Sequence, residues 1–358
     1  MKNGLIPTKD YKKLAIASVI MASSLFAHAQ ATSGPATSGP VAKPPYTVTV
    51  FAHAPEGITN PDSITTAHGK IFVVYANATQ PDGTGGSSTI VEYSPTGKML
   101  RTFSVIGKAD GLKYNPFDHK LWALRDEDSN PQLTLIDPNS GDEDNFTYAQ
   151  KPLHGGGYDD VVFTKETTFI SASNPTVDAK GQNNSPSIVE ARLVGNQVFV
   201  KPVFFGNASI VDIVSGKEVV VPQADPDSLK VDSAGDLVLD SQADGDLIFI
   251  NAADSENQAA LRLHLTNGTA KQITVDDTVF PTAPSGTILV VDTKGDTIYA
   301  VKSEAFQPGG AYSASDSDGI LGKVDLSTGL VTPIVTGMGS PHGALFVPLD
   351  VEESDRDK

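Results

Sequence analysis

The chain has 358 residues, no cysteine and a formal charge of −17. The missing thiols exclude disulfides, thiol nucleophiles and cysteine-ligated zinc. The acidity disfavours nucleic acid and anionic lipid as partners and suits cations, neutral ligands or simple solubility.

Lys12 and Lys13 precede an apolar run from Leu14 to Phe26, and Ala27-His28-Ala29 follows with small residues on either side of one position. This is the pattern of a secretory signal, read here as residues 1–29 with cleavage after Ala29. The run is too short for a comfortable membrane span, so no integral segment is expected after cleavage. The mature chain is expected to be periplasmic or secreted. Residues 30–45 repeat Thr-Ser-Gly-Pro and read as a flexible linker. Residues 46–348 read as the folded part and 349–358 as a charged tail.

From Tyr46 onward the sequence is a series of short runs rich in Val, Ile, Leu, Thr and aromatics, separated by turn residues. Pro95-Thr96-Gly97, Pro138-Asn139-Ser140-Gly141, Ser233-Ala234-Gly235 and Lys294-Gly295-Asp296 are typical separators. No amphipathic helix of ordinary length is predicted. Six copies of one phrase punctuate the runs. They are Pro61-Asp62-Ser63-Ile64, Ala109-Asp110-Gly111-Leu112, Tyr158-Asp159-Asp160-Val161, Pro226-Asp227-Ser228-Leu229, Val275-Asp276-Asp277-Thr278 and Pro341-His342-Gly343-Ala344. Anchored on Asp62, Asp110, Asp160, Asp227, Asp277 and His342, the intervals are 48, 50, 67, 50 and 65 residues.

An all-β period of this size predicts a β-propeller of six four-stranded blades, with seven also compatible. The two long intervals predict hairpin insertions within 174–222 and 303–318. The run Asp277 to Asp292 is read as repeating the inner-strand, turn, second-strand plan of Asp227 to Ser241. Tyr46 to Phe51 and His342 to Val347, from opposite ends of the chain, are expected to pair and close the ring.

In a propeller the same blade position faces one axis. The phrase therefore predicts a ring of side chains at a tunnel mouth: Asp62, Asp110, Asp159, Asp160, Asp227, Asp277 and His342. Converging carboxylates repel, and a hard divalent cation (Ca²⁺, Mg²⁺ or Mn²⁺) would relieve that repulsion. The bland alternative is that each aspartate caps its own turn. His342 replaces an aspartate and is the candidate general base. His154 before Gly155 to Gly157 marks a loop that can bring backbone close to a ligand, the alternative being a plain flexible loop. Arg125-Asp126-Glu127-Asp128-Ser129-Asn130 is acidic but lacks calcium-loop spacing and reads as solvated. Gly83 to Ser88 lacks the lysine of a phosphate loop.

The stretch Asp225-Pro226-Asp227-Ser228-Leu229-Lys230-Val231-Asp232-Ser233-Ala234-Gly235-Asp236-Leu237 resembles the Pro-Asp-Gly…Asp…Gly-Asn-Leu phrase of gluconolactonase-like and NHL-type propellers. Paraoxonases and strictosidine-synthase-like proteins belong to the same superfamily. The resemblance spans 46–348, is moderately specific for fold and is weakly specific for activity. It implies a divalent-metal ligand at Asp227. The family's early Glu in Gly-Glu-Gly-Pro and its mid-chain Asn are absent; Asp62 and Asp159 or Asp160 stand in comparable places. The catalytic His and Glu pattern of streptogramin-lyase-like propellers is not found. The implied function is metal-dependent hydrolysis of a lactone or ester. The alternative is a non-catalytic propeller, expected to be monomeric, that binds a small molecule or a protein.

Overall fold

A computed structural model describes residues 39–127, 130–269 and 271–349. The stretch read as a secretory signal, most of that read as linker and the residues beyond Leu349 lie outside the described residues. Within them all regular secondary structure is strand, apart from one 3₁₀ turn at Gln242–Asp244. No described helix is long and apolar enough to cross a membrane.

The strands form a β-propeller. Each phrase opens an innermost strand: Pro61–Ala67, Ala109–Asn115, Val161–Phe163, Pro226–Val231, Asp277–Val279 and Pro341–Pro348. From each of these a run of four strands leads outward, antiparallel throughout. The first is Pro61–Ala67, Lys70–Tyr75, Ser87–Tyr93 and Met99–Ile106. The second and third runs merge into one eight-stranded sheet through a parallel pairing of Glu143–Tyr148 with Gln197–Phe205.

Alternation places successive side chains of a strand on opposite faces, so both faces of every blade can be apolar. Leu289 and Val291 turn toward the first blade, where they meet Ile71, Val73 and Tyr75. Ile288 and Val290 turn toward the fifth blade and meet Tyr312, Leu321 and Ile334. Repetition of this arrangement yields six hydrophobic clusters, each wedged between two neighbouring runs.

The N-terminal strand Thr47–His53 pairs with Thr297–Ser303 in the blade whose innermost strand is Pro341–Pro348. Both chain ends thus complete one blade, but they do not pair with each other as the sequence reading expects: Thr297–Ser303 and Gly286–Asp292 stand between them. Val41–Ala42, inside the stretch read as linker, adds a short strand to the outer edge of the fifth blade at Val335 and Thr336.

The spacing reading needs correction at the fifth blade. Gly286–Asp292 does not continue from Asp277–Val279. It pairs with Thr297–Ser303 and Pro341–Pro348 in the sixth blade. Asp277–Val279 instead pairs with Ala311–Ser315, followed by Ile320–Val324 and Val331–Thr336. The long last interval is therefore a hairpin lent to the next blade, not an insertion at 303–318. In the other long interval, Ile210–Asp212 and Glu218–Val219 form an extra hairpin on the outer edge of the fourth blade.

Candidate functional site

Four of the six innermost strands carry a β-bulge at the phrase. Between Pro61 and Ile64 the register slips against Tyr75 and Val73. The same slip occurs between Ala109 and Leu112, between Pro226 and Leu229, and opposite Val290 and Asp292 at Pro341 and Ala344. A bulge takes one residue out of the ladder and re-aims its side chain. The following residue must then be small in places. A Cβ on Gly111 would lie 1.8 Å from the Asp159 carbonyl oxygen, and one on Gly343 would lie 2.6 Å from that of Asp62.

The result is a cavity of about 290 Å³ to which every blade contributes one phrase residue: Asp62, Asp110, Asp159, Asp227, Asp276 and His342. Glu127, Asp225 and Asp316 add carboxyls, and Lys108 and His342 are its only basic side chains among the described residues. Five of the sequence-predicted residues thus come together.

Asp160 and Asp277 face elsewhere. Asp160 Oδ2 accepts the Leu229 N–H of the next blade (3.2 Å) and lies 3.0 Å from Lys230 Nζ and 3.6 Å from Lys113 Nζ. These two lysines hold its carboxyl below the usual range against the upward push of burial. Asp277 Oδ1 is 2.5 Å from the same Lys230, and its Oδ2 accepts the Ala344 N–H of the sixth blade at 2.7 Å. In each Asp-Asp pair the first residue lines the mouth and the second ties blades together. Counting two residues before the Ile, Leu, Val, Thr or Ala at the end of every phrase would have selected Asp159 and Asp276. Choosing the second aspartate missed Asp276. Lys108, Asp225, Glu127 and Asp316 carry no signal in the phrase.

The mouth holds protons. Burial, with Asp62 nearby, pushes the Asp110 carboxyl up to about 8 despite Lys108 Nζ at 3.0 Å from its Oδ1. Asp110 Oδ2 is buried without a hydrogen-bond partner. Asp159 and Asp227 are hydrogen-bonded to each other, which requires a proton on one of them. Enclosure raises both, and Asp227 is held well above the usual range as the donor. His342 Nδ1 donates to the Ser340 carbonyl at 2.9 Å, leaving Nε2 3.6 Å from Asp276 Oδ2. Burial opposes protonation of His342, but the charges of Asp276 and Asp62 prevail and lift it to about 9. Enclosure also pushes Asp276 up, against the pull of His342, so one proton stays between the two.

Oxygen donors of this kind suit Ca²⁺, Mg²⁺ or Mn²⁺, and the unpartnered Asp110 Oδ2 is a natural contact for such an ion. Among the described residues, no three acidic or histidine side chains stand close enough to hold an ion as they are. The donors would have to draw inward around it.

His154 is buried and its Nε2 lies 2.6 Å from the Gly157 carbonyl oxygen, so its loop is closely packed and not an open ligand loop. In the acidic run after Trp122, Asp126 is also buried and accepts the Lys108 N–H at 2.9 Å, while Glu127 reaches the mouth. Asp128 and Ser129 lie outside the described residues.

Together the strands and the mouth define an all-β propeller with an acidic axial cavity. No family model matches the chain, and no curated protein does. Solved structures similar to it include a periplasmic gluconolactonase, PpgL, from Pseudomonas aeruginosa (13% identity, 80% of this chain and 88% of that one, TM-score 0.46). A streptogramin B lyase (10%, 86% and 74%, 0.44) and a protein of unknown function from Bacteroides caccae (11%, 80% and 86%, 0.47) are similar as well.

Proposed function

We propose that the mouth of this exported propeller binds a divalent cation in exchange for protons, and that the loaded site hydrolyses a lactone or similar ester. The observation that carries the reading is the convergence of five phrase carboxyls and one histidine, one from each blade, on one cavity. Asp62, Asp110, Asp159 and Asp227 are the proposed ligands. Asp159 takes the place that spacing gave to Asp160, because Asp160 is already engaged by Lys230 and Lys113.

A bound cation of this class would polarise the substrate carbonyl. His342 is placed to move protons: Nδ1–H is fixed on Ser340, and Nε2 is the nitrogen that faces the cavity beside Asp276. Lys108 beside Asp110 offers the mouth its other positive charge, suited to an anionic oxygen on the substrate.

Calorimetric titration with Ca²⁺, Mg²⁺ and Mn²⁺, in two buffers of different ionisation enthalpy, tests this. Binding is expected with release of at least one proton at pH 7, because Asp110 and the Asp159–Asp227 pair must give theirs up. Asp227→Asn should weaken Ca²⁺-dependent thermal stabilisation, and EDTA should abolish turnover of a lactone panel. Absence of both heat and a Ca²⁺-dependent melting shift sinks the proposal. That, among the described residues, no three acidic or histidine side chains stand close enough to hold an ion as they are favours a second reading, a non-catalytic propeller that binds a small molecule or protein. Cation binding without turnover would select it.

A further inference from the structure

At the opposite ends of the first two innermost strands stands a second cluster. His68 follows Pro61–Ala67 and His119 precedes Lys120–Arg125, each in the turn between the first and second strands of its blade. Tyr114 lies on Ala109–Asn115. Its hydroxyl is 3.0 Å from His68 Nε2 and 3.1 Å from His119 Nδ1. A phenol has one hydrogen, so it donates to one imidazole and accepts from the other. Two ring nitrogens are therefore aimed at one oxygen from two different blades.

The arrangement is supported from below and open above. The Tyr114 N–H donates to Thr65 Oγ1 (3.2 Å), and its ring packs on the cluster containing Leu112 and Leu121. The His68 ring meets it edge to face at 5.4 Å. Both histidines are exposed and adopt left-handed backbone conformations, φ +50° and +60°. Their rings can rotate the short distance from hydrogen-bonding to coordinating range, about 2.0–2.1 Å for an imidazole nitrogen. Asp118, the nearest carboxylate in sequence, is occupied by the Trp122 indole and the Lys120 N–H.

We propose that His68, Tyr114 and His119 form a binding site for a transition-metal ion, Cu(II) foremost, separate from the acidic mouth. Two imidazoles and a phenolate are a borderline donor set, which favours copper over calcium or magnesium. Binding releases one proton. The phenol hydrogen leaves to solvent, and the imidazole that donated to the phenol carries its hydrogen on its other ring nitrogen.

The test is titration of the full chain with copper sulfate at pH 7.5, followed by visible absorption and paramagnetic resonance. One ion per chain is expected, with nitrogen hyperfine structure and a phenolate-to-copper charge-transfer band. Tyr114→Phe should lose the band. His68→Asn and His119→Asn should each lower affinity by more than about 10-fold, since losing a ligand costs at least as much as losing an outer-shell partner, and asparagine tolerates the left-handed backbone. Asp227→Asn should leave copper affinity unchanged. No copper binding by the wild-type chain, no charge-transfer band, or unaltered binding in the His68→Asn/His119→Asn double variant overturns the proposal.

Discussion

His342 and Asp110 set the direction in which pH acts on the molecule. The His342 imidazole is lifted from its ordinary range to about 9 by Asp276 and Asp62, against its burial. Its contribution to stability is complete below about pH 6.5 and is lost as pH rises through about 9. Asp110 is lifted to about 8, chiefly by burial. Between about pH 4 and that value the folded chain keeps a proton that the unfolded chain has released, so here too stability declines as pH rises. Denaturant unfolding at pH 5, 7 and 9 should show falling stability. Asp110→Asn should flatten the lower part of the slope and His342→Asn the upper part. A shift of one unit corresponds to about 1.4 kcal/mol, so each change should be measurable. A profile that rises from pH 5 to 9 would contradict these assignments. At this scale the sequence was legible as far as the phrase itself. Where two aspartates are adjacent, the pattern does not say which one a bulge will expel.

Lys230 shows how the innermost strands are fastened side by side. One ammonium bridges Asp160 of the third blade and Asp277 of the fifth, from a strand that lies between them. The two carboxylates reach on to backbone N–H groups of the fourth and sixth blades. Removing one partner of a buried ion pair leaves the other uncompensated, typically at 3–5 kcal/mol. Lys230→Met should therefore lower stability by about that amount. Combining it with Asp277→Asn should cost less than the sum of the two single changes, as measured in a double-mutant cycle. Strict additivity would mean that the bridge carries no coupling. The strands were legible from their apolar runs, but their partners were not. Gly286–Asp292 and Thr297–Ser303 have the same alternation whichever blade receives them, because alternation encodes two faces and says nothing about the neighbour.

Across the whole molecule, the wedge clusters rather than any single core hold the ring together. Leu289 and Val291 on one side of a strand, and Ile288 and Val290 on the other, make each blade a partner to two neighbours. The fifth and sixth blades are bound more closely, since the Gly286–Ser303 hairpin sits in one while the chain on either side of it builds the other. Amide hydrogen exchange should show these two blades opening as one cooperative unit, with matched protection at Leu289 and Leu321. Separate opening energies would argue against that coupling. That both chain ends enter one blade was legible, because each supplies a strand without a local partner; that Gly286–Asp292 and Thr297–Ser303 would stand between them was not.

The lent hairpin also bears on the order in which the molecule can be made. A chain emerging from its N-terminus can assemble its early modules one after another, each resting on the last. Past Asp277 that sequence stops: the next strands to appear belong to a module whose central and peripheral strands come from the far end and the very beginning. Segments already synthesised must wait, partly uncovered, until the final residues arrive and the circle shuts in a single late step.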